Sequence, residues 1–157
     1  MQFEFSWIKP SLVICRMSGA VKAEDFVELT EAIVSNPKYR PGMDRVIDLC
    51  EIDATSISAT DIERIADRVA VYANAIKTGR LALVVGSRSP LKYGLARMFE
   101  AFFGTQVNAP VAVFETVDAA LAWLDATDSR ISLDPEDDAE GTVPAGEDPR
   151  ALSNSTD

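Results

Sequence analysis

Three hydroxyls stand close together at Ser56, Ser58 and Thr60, just ahead of an apolar-periodic stretch that begins at Ile62. In that position a hydroxyl accepts from an amide left unpaired at a helix start, so capping is one role for them. Regulation is the other: a phosphate on Ser56 or Ser58 would sit at the positive end of a helix, and the segment would serve as a partner-binding loop. Thr60-Asp61-Ile62-Glu63 has the S/T-x-x-E form of a capping box, which assigns the cap to Thr60. A second group, Ser87, Arg88, Ser89 and Lys92, lies in Gly86-Ser87-Arg88-Ser89-Pro90-Leu91-Lys92, between a strand-like run and a helix start. Open α/β sheets bind ligands at such junctions, and these side chains carry the donors that an anion or other small ligand needs. The spacing is not that of a glycine-rich phosphate loop, so no nucleotide is specified.

The chain contains no histidine. Its absence removes Ser-His and Cys-His nucleophilic pairs, the usual zinc ligand sets and the commonest general base, leaving carboxylate or lysine chemistry. Asp48, at a strand end, is a candidate carboxylate for such chemistry, or else orders its own loop. Cys15 and Cys50 lie in or beside apolar runs without C-x-x-C spacing, which suits structural thiols, with redox or metal roles as the alternative. No catalytic, metal or cofactor motif emerges. The expectation is a non-enzymatic protein with no cofactor and no metal.

These residues are positioned by a chain whose apolar period changes several times. Phe3, Phe5 and Trp7 alternate with polar residues as in a half-buried strand, and Leu12–Met17 follows a short turn at Lys9-Pro10-Ser11, so the first two strands pair antiparallel. Phe26, Leu29 and Ile33 then mark a helix that stops before Asn36-Pro37. Arg45–Leu49 reads as the third strand. Ile62, Ile65, Ala66, Val69, Ala73 and Ile76 form one stripe of a second helix stopping near Gly79. Leu81–Gly86 is apolar on both faces, as in a central strand. Ser89-Pro90 opens a third helix with Leu91, Leu95, Met98 and Phe102 as its stripe. Its aromatics Tyr93, Phe99, Phe102 and Phe103 pack a core, line an apolar ligand cavity or form a homodimer face. Val111–Phe114 is the last strand, and Val117, Ala120, Leu121 and Leu124 mark the last helix. The order β-β-α-β-α-β-α-β-α predicts an α/β fold: a mixed sheet of about five strands, antiparallel then parallel, flanked by about four helices.

Net charge is −10 over 157 residues, but residues 1–127 hold 13 Lys and Arg against 16 Asp and Glu, while residues 128–157 hold 2 against 9. The expected organisation is therefore an α/β domain over 1–127 and a disordered acidic tail over 128–157. Neither part carries the basic stripe that nucleic-acid binding needs. The start lacks the pattern of a signal peptide and no apolar run nears the roughly 20 residues of a membrane span, so a cytoplasmic protein without integral membrane association is expected.

Several segments together resemble one family: Gly19 with a helix soon after, Pro37-x-Tyr39-x-Pro41-Gly42 before a strand ending in Asp48-Leu49, Tyr93-Gly94-Leu95-Ala96-Arg97-Met98-Phe99, and Val113-Phe114 followed by Ala119-Ala120-x-Ala122-Trp123-Leu124. Over roughly residues 2–126 the chain resembles the bacterial STAS-like (SpoIIAA-like) proteins. That resemblance implies a small sheet flanked by helices, akin to lipid-carrying domains. It also implies a switch site, because the better-understood STAS proteins are anti-sigma-factor antagonists phosphorylated on a serine in an Asp-Ser-Ser-Gly-like turn after the third strand. The corresponding stretch here is Asp53-Ala54-Thr55-Ser56-Ile57-Ser58-Ala59-Thr60, which lacks that turn but places Ser56 and Ser58 near its position. Two readings of function follow. One is a regulatory module with a protein partner or a homodimer; the other is a carrier or sensor of a lipid or other small apolar or anionic ligand.

Overall fold

The alternation at the start becomes strand β1 (Gln2–Lys9), which pairs antiparallel with β2 (Leu12–Ala20), Phe3 opposite Met17 and Trp7 opposite Val13. The computed structural model describes residues 1–132, with side chains to Ala126. Then come α1 (Ala23–Val34), β3 (Asp44–Asp53), α2 (Ala59–Val69), a 3₁₀ turn (Ala70–Tyr72), the short α3 (Ala73–Ile76), β4 (Leu81–Val84), α4 (Pro90–Gly104), β5 (Val111–Phe114) and α5 (Val117–Ser132). The α/β fold is thus a five-stranded mixed sheet in the order β1-β2-β3-β4-β5, with every pair after the first parallel. The described residues divide into two units, one over Met1–Ala120 and one holding α5 from Leu121 onward. Beyond Ser132, the acidic tail expected from residue 128 lies outside the described residues.

Strand order decides where the helices go. Because the order never reverses, right-handed crossovers carry α1, α2 and α4 to the same face of the sheet. Period 2 then decides which side chains meet them. Phe3, Phe5 and Trp7 on β1 share that face with Val13, Cys15 and Met17 on β2, Arg45 and Ile47 on β3, and Leu81 and Leu83 on β4. Apart from Arg45, these join one apolar core with Leu29 and Ile33 of α1, Ile62, Ile65 and Val69 of α2, and Ala96 and Phe103 of α4. Phe99 stacks on Phe103 with ring centroids 5.0 Å apart.

Two helix details differ from expectation. The cap of α2 is Ser58, not Thr60: Ser58 Oγ accepts from the Asp61 amide at 3.1 Å, and Asp61 Oδ2 accepts from the Ser58 amide at 2.9 Å. Asp61 closes the same reciprocal box that a glutamate would, which moves the helix start two residues earlier. The stripe from Ile62 to Ile76 is also not one α-helix. It tightens at Ala70–Tyr72, and the Ala75 carbonyl accepts from outside the helix, from Tyr39 Oη at 2.8 Å and the Gly42 amide at 3.2 Å. Gly79 follows in a turn so close to the next loop that a Cβ there would lie 2.3 Å from the Met43 carbonyl oxygen.

Candidate functional site

A cavity of about 90 Å³ lies between the helix-bearing face of the sheet and α1, α2 and α4. Its floor is Arg45, Ile47 and Leu49 of β3 with Leu81 and Leu83 of β4. Phe26, Leu29 and Ile33 of α1, Ile62, Ile65 and Val69 of α2, and Leu95, Ala96 and Phe99 of α4 complete the walls. The β3–α2 segment adds Ile52, Ala54 and Ile57. Thr30, a polar residue of the lining, donates to the Phe26 carbonyl at 3.1 Å.

Arg45 is different. It is 3% exposed, and its Nε and Nη2 are buried with no hydrogen-bond partner. Burial lowers its pKa from the ordinary guanidinium value, with Tyr39 and Asp44 pulling the other way. Asp44, the preceding residue, points to the opposite side of the pleat and is held by Arg80: Oδ1 accepts from Arg80 N at 2.9 Å and Nε at 3.0 Å, and Oδ2 pairs with Nη2. Tyr39, buried nearby, donates its hydroxyl hydrogen to Ala75. Its pKa is raised by burial, with Arg45 and the Gly42 backbone opposing.

At the other end of β3 stands Lys92, which also lines the cavity. Its Nζ donates to the carbonyls of Cys50 at 2.7 Å, Leu49 at 3.2 Å and Ile52 at 3.4 Å, so this ammonium clasps the end of β3. Ser89 caps α4, its Oγ accepting from the Lys92 amide at 3.1 Å, while Ser87 and Arg88 are exposed. The structure therefore brings Ser89 and Lys92 together as a helix start and a strand clasp. Among the described residues no crevice of the doubly wound kind forms beside them, because such a crevice needs a reversal of strand order.

The three hydroxyls of the β3–α2 segment have separate positions. Ser56 Oγ donates to the Val21 carbonyl at 3.0 Å, Ser58 caps α2, and Thr60 lies exposed in the first turn. Asp53 and Asp61 flank them, both held below the usual carboxylate range by hydrogen bonds, from Thr55 and Ser58 respectively. Comparison with known proteins finds no family model that matches the chain and no curated protein that matches it.

Asp48 is buried on the opposite face. Its Oδ1 accepts from the Cys50 amide at 3.0 Å and its Oδ2 from Arg16 Nε at 3.4 Å. β3 runs on to Asp53, so Asp48 stands in mid-strand, where it braces the register shift against β2, and not at the strand end expected. Both thiols are pushed up, Cys15 to about 12 by burial and then Asp48, and Cys50 to about 11 by burial and a hydrogen bond with Asp48. Neither is poised as a thiolate nucleophile near neutral pH. Among the described residues no group of three or more Cys, Asp or Glu could hold a metal, and no helix is long and apolar enough to cross a membrane.

Arg45 is the candidate site residue that sequence reading passes over. Its signal is the period: it stands in phase with Ile47 and Leu49, so it shares their buried face.

Proposed function

We propose that this is a non-enzymatic regulatory module that senses a small apolar ligand held in the cavity. One observation carries the reading: an apolar cavity whose wall includes Ile52, Ala54, Ile57 and Ile62, the segment that also presents Ser56 and Ser58. An occupant touching Ala54 and Ile57 bears on the start of α2. Ligand state and partner binding would then be linked through one loop. The resemblance to STAS-like proteins, whose switch follows the third strand, supports the same assignment.

Energetics supports an occupant: an apolar group that takes the apolar lining out of water gains about 25 cal/mol per Å² of surface covered.

Methyl-resolved NMR of the full chain tests the proposal, with butan-1-ol and cyclopentane as probes. The expected result is saturable shifts at the methyls of Ile47, Ile57, Ile65 and Leu83, accompanied by shifts of the Ser58 and Asp61 amides. Absent or scattered methyl shifts would remove the ligand site. Methyl shifts without any response at Ser58 and Asp61 would leave a carrier rather than a sensor.

A further inference from the structure

An apolar occupant fills the void but leaves Arg45 unsatisfied. The unpartnered atoms are Nε and Nη2, which form one edge of the guanidinium with two parallel N–H donors. That edge matches the two oxygens of a carboxylate. The protein itself supplies the template, because Arg80 uses its own Nε and Nη2 on the two oxygens of Asp44. Asp44 cannot serve both arginines, since the pleat turns it away from the cavity. Lys92 has its donors taken by three carbonyls at the far end of β3, so the unmet donors are at the Arg45 end.

We propose that the ligand is a small monocarboxylic acid, bound with its carboxylate on the Nε–Nη2 edge of Arg45 and its tail beside Ile47, Ile65 and Leu83. The proposal deepens the ligand-sensing reading and rests on it. Geometry and charge set the head group: one guanidinium edge pairs the two oxygens of a carboxylate and balances its one negative charge. Volume limits the tail. A cavity of about 150 Å³ takes benzene, and one water's share of liquid volume is about 30 Å³. The 90 Å³ here therefore suits a tail of roughly three to five carbons, and is well short of the ~300 Å³ and more of drug- or lipid-sized pockets.

Isothermal titration of the full chain at pH 7 with pentanoate, pentan-1-ol and pentylammonium tests this. Pentanoate should bind at least tenfold more tightly than the alcohol, and pentylammonium more weakly than either. In Arg45→Met the acid-over-alcohol preference should fall below twofold while alcohol binding persists. The wild-type Arg45 Nε–H resonance gives a readout that needs no variant, and it should shift with the same Kd as the heat signal. Equal affinity for acid and alcohol, a preference that survives in Arg45→Met, or an unmoved Nε–H resonance on pentanoate binding would each overturn the carboxylate assignment while leaving the cavity as an apolar site. If neither acid nor alcohol binds, the ligand-sensing reading falls, and this proposal with it.

Discussion

Replacing Arg45 with methionine should make the ligand-free protein more stable, which is an unusual expectation for a residue only 3% exposed. Met keeps the apolar stem and roughly the length of the side chain, and it removes two buried donors, Nε and Nη2, that have no partner. Each unsatisfied buried donor costs about 1–3 kcal/mol, and replacing buried charges with apolar residues of similar volume is neutral to stabilising by about 1–4 kcal/mol. The net expected gain is roughly 2 kcal/mol, or a rise in Tm on the order of 6 °C for a protein of this size. Urea unfolding followed by tryptophan fluorescence at pH 7 measures it, on protein refolded from denaturant so that no ligand is carried through. Adding pentanoate at 100 times its wild-type Kd should then raise the wild type by about 2.7 kcal/mol and Arg45→Met by only about 1.4 kcal/mol, as a tenfold weaker site requires. A ligand-free Arg45→Met that is less stable than the wild type by 1 kcal/mol or more would refute the reasoning. It would mean that the guanidinium has good partners in solution and needs no ligand.

Other expectations follow from the same structure. Ala96→Leu places extra methyls in the cavity that Ala96 lines, so it should abolish binding of butan-1-ol by NMR while leaving stability within about 1.5 kcal/mol of wild type. Gly79→Ala brings a Cβ within 2.3 Å of the Met43 carbonyl oxygen and 3.0 Å of the Gly42 carbonyl carbon, both backbone, and should lower stability by more than 2 kcal/mol in urea melts. Ser58→Ala removes the cap of α2 and should lose about 1 kcal/mol, whereas Thr60→Ala should change stability by less than about 0.5 kcal/mol, a pair that separates the two candidate caps. The Cys15 thiol has its pKa raised from 9.0 to about 12, so the folded state holds its proton where the unfolded chain has lost it. Stability contributed by Cys15 is therefore full below pH 9.0 and declines toward pH 12, by up to about 1.4 kcal/mol per pH unit. Urea melts between pH 8 and 11 should show that decline in the wild type, reduced in Cys15→Ala; equal declines in the two proteins would remove Cys15 as its source.

Much of the fold was legible because the apolar period speaks for itself. Phe3, Phe5 and Trp7 alternate cleanly, the turn at Lys9-Pro10-Ser11 is too short for anything but an antiparallel return, and the apolar run at Leu81–Val85 marks a strand buried on both faces. Local chemistry was less legible where two choices satisfy the same rule. Ser58-x-x-Asp61 and Thr60-x-x-Glu63 both have the form of a reciprocal cap, and the choice falls to Ser58, with Asp61 holding its amide. The break after Val69 left no mark in the stripe, and the loop around Tyr39 and Gly42, more than thirty residues away, hydrogen-bonds to the Ala75 carbonyl beyond it. At the candidate site, Lys92 shows its charge in sequence but not the three carbonyls at the end of β3 that its ammonium donates to. Arg45 showed the reverse. At the head of an apolar strand a charge reads as flanking polarity, and only the sheet and three covering helices reveal that it is enclosed.

The most direct measurement is a crystal structure of the full chain grown with pentanoate. The account requires a carboxylate on Nε and Nη2 of Arg45, with the tail between Ile47, Ile65 and Leu83. A cavity closed by side chains, or an Arg45 guanidinium satisfied wholly by protein groups with pentanoate absent or bound elsewhere, would contradict it.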